Sequence, residues 1–265
     1  MDRAGVGRIW PYPRVLAHRC GGWLAPENTL AGLERAARWV GGVEFDVMLS
    51  ADGSPWVIHD ETLERTTDGA GSVARTGDAR IAQLDAGRWF DEAFAGERVP
   101  SLEEAARSCH VLGLAANVEI KPATGQDRET GRVVAEQVAR LWRGAARPPL
   151  LSSFSLTALE AAREVAPELP RGVLVGAIPA HWVQLCRDQA AIALHADARF
   201  LTEHAVRAVR AAGLWCVAYT ENDPERVSTL IDWGVNCVIT DRPDVVNEES
   251  LRVRPAPAGS SQRSP

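Results

Sequence analysis

The chain has 265 residues, 46% of them apolar, which is enough to bury one large core, and its 35 acidic and 29 basic residues leave a net charge of -6. With no lysine- or arginine-dense run to follow a phosphate backbone, nucleic acid is excluded as an expected partner. Cys20, Cys109, Cys186, Cys216 and Cys237 are scattered without a CxxC pair, no signal-like segment opens the chain, and no run reaches the roughly 18 to 20 apolar residues of a membrane span, so a soluble cytoplasmic protein with reduced thiols and no stable membrane association is expected.

Taken in chain order, apolar runs that read as strands fall at residues 14–18, 42–49, 114–121, 150–154, 171–176, 191–197, 214–220 and 236–241. Helical periods occupy 28–40, 127–143, 155–167, 179–188, 202–213 and 223–234, with Ser155, Thr202 and Asp223 placed as N-caps. Strands alternating with helices point to a parallel sheet, and eight of them predict an α/β fold closed as a TIM (β/α)8 barrel. Residues 60–100 interrupt the rhythm with turn-forming residues and weak periodicity. They are expected to form a small insertion, either a lid or wall beside a site or a neutral surface segment, with Trp89 and Phe90 packed against something. Residues 251–265, rich in proline, serine and arginine, are expected to be a disordered tail, which leaves 1–250 as one domain.

The chemistry concentrates in a few positions. Glu44 and Asp46 are two apart on a predicted strand and leave the same face, and Glu119 and Lys121 repeat the arrangement on the next. In a barrel that face is the lumen or its C-terminal mouth, where active sites sit. Three carboxylates form a hard-oxygen set suited to Mg²⁺ or Ca²⁺, and Lys121 adds attraction for an anion; a structural ion-pair network at the rim is the competing reading. His18 and His59 each end an apolar run, and imidazole exchanges protons near neutrality. Such a pair beside a cation suits phosphodiester cleavage, one histidine taking a proton from the attacking hydroxyl and the other giving one to the leaving alkoxide. Trp215 and Tyr219 alternate with Val217, which fits either one side of a substrate pocket or the core layers. His195 and Asp197 share a strand face as substrate contacts or a core pair, while His181 and His204 read as surface residues on helices.

The segments AHRCGGWLAPENTLAG, VEFDVMLSADGSPWVIHDETLERTTDGAG, VPSLEEAA, NVEIKP and GVNCVITDRPDVV resemble, in order and separation, the glycerophosphodiester phosphodiesterase family, above all its short cytosolic bacterial members, over residues 15–246. The resemblance implies a TIM barrel with an insertion after the second βα region, and hydrolysis of small glycerophosphodiesters to sn-glycerol 3-phosphate and an alcohol. It implies His18 and His59 as the acid–base pair without dividing the roles; His18 is preferred as base because it adjoins Arg19, and His59 as acid. By the same resemblance Glu44, Asp46 and Glu119 hold one divalent metal ion, Arg19 and Lys121 hold the phosphate, and Asn28 is a substrate-pocket or loop-fixing residue beside Glu27, a helix-start contact. The family opens on His-Arg-Gly; here Cys20 takes the glycine's place, and its side chain would crowd the turn or lie beside the phosphate. A phosphoinositide-specific phospholipase or sphingomyelinase type would need an apolar rim for a bilayer, and a non-catalytic phosphate-binding barrel would be expected to lose a histidine or carboxylate.

Overall fold

In the computed structural model, which describes residues 9–252, strands and helices alternate. The first half runs β1 (Val15–Ala17), α1 (Leu30–Ala36), β2 (Gly42–Leu49), β3 (Pro55–Val57), α2 (Asp78–Ile81), α3 (Leu102–Leu112), β4 (Ala115–Ile120) and α4 (Asp127–Leu141). The second runs β5 (Leu150–Ser153), α5 (Leu156–Val165), β6 (Arg171–Val175), α6 (Trp182–Asp188), β7 (Ala193–Asp197), α7 (Glu203–Ala211), β8 (Trp215–Tyr219), α8 (Pro224–Trp233) and β9 (Cys237–Thr240). All strands but β3 pair in parallel in the order β1-β9-β8-β7-β6-β5-β4-β2, and β1 closes on β2 with Ala17 opposite Val43. The result is the expected (β/α)8 barrel, with β3 added antiparallel to the far end of β2, Val57 opposite Val47.

Period-two alternation divides each barrel strand between two layers. Val43, Phe45 and Val47 pack outward with Leu33, Val134 and Val138 in the core between sheet and helices. Leu16, Ala193, Trp215, Val217, Cys237 and Ile239 form a separate cluster that fills the lumen. Several helix starts follow from side-chain caps: Thr29, Ser155, Thr202 and Asp223 each accept a backbone N–H of the first turn, and Pro224 occupies the position after Asp223, where its missing donor costs nothing.

Helix α3 is an addition to the sequence-based expectation. Ser101 and Glu104 form a reciprocal capping box, and Gly113 ends the helix in the left-handed conformation. Residues 60–100 also carry more structure than their composition suggests. Met48, Trp56, Ile58, Leu63, Val73, Ile81, Leu84, Ala86 and Val99 build a small second core, spaced too irregularly to give a period. Asp78 ties this unit to the β2–β3 turn by accepting from Ser50, Ser54 and Trp56. Leu251 packs against the main core; residues 253–265 of the expected tail lie outside the described residues.

Candidate active site

The barrel's C-terminal mouth gathers residues from the ends of five strands, β1, β2, β3, β4 and β9. Glu44 and Asp46 lie on β2, whose eight residues are all buried, and register places Asp46 opposite Glu119 of β4. One carboxylate oxygen from each of Glu44, Asp46 and Glu119 can be chosen so that all lie within 4.8 Å of one another. His18 follows β1, its backbone N–H donating to the Thr240 carbonyl at 2.8 Å, and its Nδ1 stands 2.7 Å from Oδ1 of Asp241, just past β9. Its Nε2 is 4.0 Å from Glu44 Oε2. His59 follows β3, with Nδ1 at 2.5 Å from Oδ1 of Asp60. Because an ionised carboxylate only accepts, each histidine carries its proton on Nδ1 and leaves Nε2 available.

The turn after β1 uses unusual backbone to bring these groups together. Arg19, Cys20 and Asn28 all have positive φ (48°, 71° and 56°), and a Cβ on Gly22 would overlap the backbone of Asp241. The Arg19 backbone N–H donates to Glu44 Oε2 at 3.1 Å, and its guanidinium bonds Glu27 at 2.9 Å while Nε stays 3.7 Å from Asp46. Asn28 fixes Asp46 from both sides: Nδ2 donates to Oδ2 at 2.9 Å and Oδ1 accepts the Asp46 N–H at 3.3 Å. It fixes the loop and the carboxylate, rather than lining an open pocket. Cys20 is fully buried in the core, so its side chain turns away from the mouth. Lys121 Nζ lies 3.8 Å from Asp46 and 3.6 Å from Glu119.

Charge crowding marks the cluster. Burial, then the charges of Asp46 and Glu119, push the Glu44 carboxyl well above the usual range, and burial with Asp46 pushes Glu119 up to about 8. Burial also opposes ionisation of Asp46, but His59, Lys121, Arg19 and the Asn28 hydrogen bond outweigh it and hold its carboxyl low. Desolvation lowers the His59 pKa. The fit to a cation is good. Glu44 Oε1 is buried without a protein partner, the donors are all oxygen, and the flanking cations stand too far off to saturate them. The same loose spacing disfavours a closed rim of ion pairs.

Three residues were not anticipated from sequence. Asp241 and Asp60 orient the histidines, and Arg65, from the insertion, forks between Asp60 and Glu27 at 2.5 to 3.0 Å. A carboxylate directly after His59 was the available signal for Asp60; Asp241 and Arg65 have only tertiary contacts to reveal them. Trp89 and Phe90 stack edge to face and, with Trp23, His18, Arg19 and Asp241, line a groove of about 360 Å³.

Tyr219 stands at the mouth, its hydroxyl donating to the Val175 carbonyl at 2.7 Å. Trp215 does not: it begins β8, about 13 Å down the strand from Tyr219 at a strand's usual rise, and stacks on Trp10 at 5.3 Å in the lumen floor. The core reading is the correct one for Trp215. A larger cleft of about 530 Å³ opens beside it at the opposite face, bordered by Tyr12, Arg147 and Pro170, but none of the titratable cluster lines it. His195 and Asp197 are not a pair, since Asp197 accepts from Arg199. His181 and His204 are exposed.

Comparison with known proteins agrees with this geometry. The chain is 31% identical to a glycerophosphodiester phosphodiesterase of Bacillus subtilis, over 94% of this chain and 90% of that one. It is 32% identical to one from Caldanaerobacter subterraneus subsp. tengcongensis, over 88% and 95% of the two chains. Among solved structures it is similar to an Oleispira antarctica phosphodiesterase in complex with the product sn-glycerol-3-phosphate, with a TM-score of 0.86, 35% identity and coverage of 91% and 98%. A glycerophosphodiester phosphodiesterase from Agrobacterium tumefaciens gives a TM-score of 0.73 at 30% identity, over 88% and 98%. The model of the glycerophosphoryl diester phosphodiesterase family matches residues 18–245, and the chain belongs to that family.

Proposed function

We propose that the chain hydrolyses small glycerophosphodiesters to sn-glycerol 3-phosphate and an alcohol, with one divalent cation, Mg²⁺ or Ca²⁺, held by Glu44, Asp46 and Glu119, and with His18 and His59 exchanging protons. The observation that carries this reading is the pairing of two carboxylate-oriented histidines with one convergent acid cluster. The cation, when bound, supplies positive charge against the phosphoryl oxygens.

The chain's own residues supply the rest. Arg19 and Lys121 stand beside the carboxylates and are the cations placed to meet a phosphate once a divalent ion offsets the acids. His18, with Nδ1 engaged by Asp241, accepts at Nε2 the proton of the attacking hydroxyl. That hydroxyl belongs to water or to the substrate's glycerol C2, the second route exploiting an attacker already in position and giving a cyclic phosphate for water to open. His59, whose imidazole is harder to protonate because it is desolvated, is the donor to the leaving alkoxide, and Asp60 sustains its protonated form. Phosphorus gains one oxygen bond and loses another, and one proton passes from nucleophile to leaving alcohol. Trp23, Trp89 and Phe90 offer the wall against which either end of the substrate rests.

Among the described residues no helix is long and apolar enough to cross a membrane. A cytoplasmic setting belongs to the same proposal, supported by five cysteines that are buried and free. Purified protein treated with chelator, then given Mg²⁺ or Ca²⁺ and glycerophosphocholine, should release glycerol 3-phosphate and spare a simple monoester. Preferential release of phosphate from the monoester would overturn the reading.

A further inference from the structure

Beneath the acid cluster the lumen holds a cavity of about 20 Å³, bordered among others by Glu44, Asn117, Glu119, Ser152, Leu174 and His195. Four buried polar atoms around it have no protein hydrogen-bond partner: Oε1 of Glu44, Oδ1 of Asn117, and both ring nitrogens of His195. Each is destabilising if left unsatisfied, and a buried histidine with neither nitrogen bonded has no packing advantage over leucine. β6 nevertheless makes room for this ring, since a Cβ on Gly172 would collide with the His195 imidazole. A polar space able to hold one water needs about 10 to 15 Å³ and two to four partners. This one meets both conditions.

Resting on the metal reading given above, we propose that one ordered water molecule is a built-in part of the site, held by His195 and Asn117 beneath the carboxylates, and that His195 is thereby a positioning residue for the metal ligands. A neutral imidazole offers one N–H and one acceptor. The water accepts that N–H, donates one hydrogen to Asn117 Oδ1, an amide oriented by its Nδ2 donating to Ser152 at 2.9 Å, and donates the other to the Glu44 or Glu119 carboxylate. The carboxylate is fixed from below while Arg19 fixes Glu44 from above. Outer partners of this kind typically contribute 10- to 100-fold to metal affinity.

The test uses the full chain in three forms: unaltered, His195→Leu and His195→Gln. Titration calorimetry with Mg²⁺ and separately with Ca²⁺ should show His195→Leu, with an unchanged circular dichroism spectrum, binding about 10- to 100-fold more weakly, and His195→Gln, which retains a donor and an acceptor, close to the unaltered protein. A high-resolution crystal structure of the unaltered protein should show one water within hydrogen-bond distance of His195 and Asn117. Equal metal affinity of His195→Leu and the unaltered chain overturns the positioning role. A dry cavity overturns the water, and does so even if His195→Leu fails to fold. Failure of the unaltered protein to bind either ion would instead overturn the metal reading, so the two failures are told apart.

Discussion

Nδ1 of His18 lies 2.7 Å from Oδ1 of Asp241, although 223 positions separate them in the chain. Barrel closure brings them together, because β1 pairs with β9 and each residue directly follows its strand. Asp241 is itself held: Asn222 donates to its Oδ2 at 3.0 Å and accepts its backbone N–H at 2.7 Å. Burial opposes its ionisation, yet the hydrogen bond and charge of His18 and the Asn222 bond keep its carboxyl low, so it acts as an acceptor. His59 achieves the same orientation from its immediate neighbour Asp60, whose carboxyl is held low chiefly by Arg65.

Removing the Asp241 carboxylate should therefore reduce turnover without much effect on substrate binding. Asp241→Asn loses the charge that favours an Nδ1 proton on His18 and disturbs the bond to Asn222. Turnover is expected to fall at least about 10-fold, with KM within a few-fold, by steady-state kinetics on glycerophosphocholine. A variant with unchanged kcat would show that His18 needs no orienting partner.

The two histidines should separate by leaving group. His18→Ala and His59→Ala are each expected to lower turnover about 10²-fold or more on glycerophosphocholine, with the fold retained. An aryl diester of glycerol phosphate has a p-nitrophenolate leaving group that needs little protonation. It should largely rescue His59→Ala and leave His18→Ala impaired. Reversed rescue would exchange the acid and base assignments, and rescue of neither with intact metal binding would make the pair electrostatic rather than proton-transferring.

The sequence makes the barrel readable because each strand is a short apolar run and its helices carry caps such as Ser155 and Thr202. Glu44, Asp46 and Glu119 are legible for the same reason: strand alternation puts Glu44 and Asp46 on one face whatever the details of the loops. What escapes is whatever depends on the height within the barrel or on contacts between distant loops. Trp215 and Tyr219 share a face, yet one sits in the floor and the other at the mouth. Asp241 and Arg65 act on residues that only closure and the insertion's own small core bring near them. Helix α3 was within reach, since Ser101 and Glu104 have capping-box spacing.

Crowding of the acids should trade stability for metal binding. The Glu119 carboxyl, pushed up to about 8 by burial and by Asp46, stays protonated in the folded chain at pH values where the unfolded chain has ionised. Its contribution to stability in the absence of metal therefore declines as pH rises from about 4.5 to about 8. Glu119→Gln abolishes that decline. In chelator, the melting temperature of the variant relative to the unaltered protein should rise between pH 5.5 and pH 8.5, while its affinity for Mg²⁺ or Ca²⁺ falls at least about 10-fold. A melting difference that does not change with pH would mean that Glu119 is not under the strain described.

His195 sets the opposite slope at the acid end. Burial lowers its pKa to about 3 in the folded chain, against about 6.5 when unfolded. Between those values the unfolded state binds a proton that the folded state does not, so stability is lost as pH falls through 6.5 and the loss grows until about pH 3. At pH 5 the expected penalty is about 2 kcal/mol. Glu44 and Glu119, which share the cavity and whose carboxyls burial pushes up, add their own pH dependence, so the informative quantity is the difference between the unaltered chain and His195→Gln, in which both carboxylates remain. Denaturant unfolding at pH 7.5 and pH 5 should show the unaltered chain losing about 2 kcal/mol more than the variant over that interval. Equal losses would mean that the imidazole gains its proton within the folded barrel, with a cavity wet enough to carry the charge.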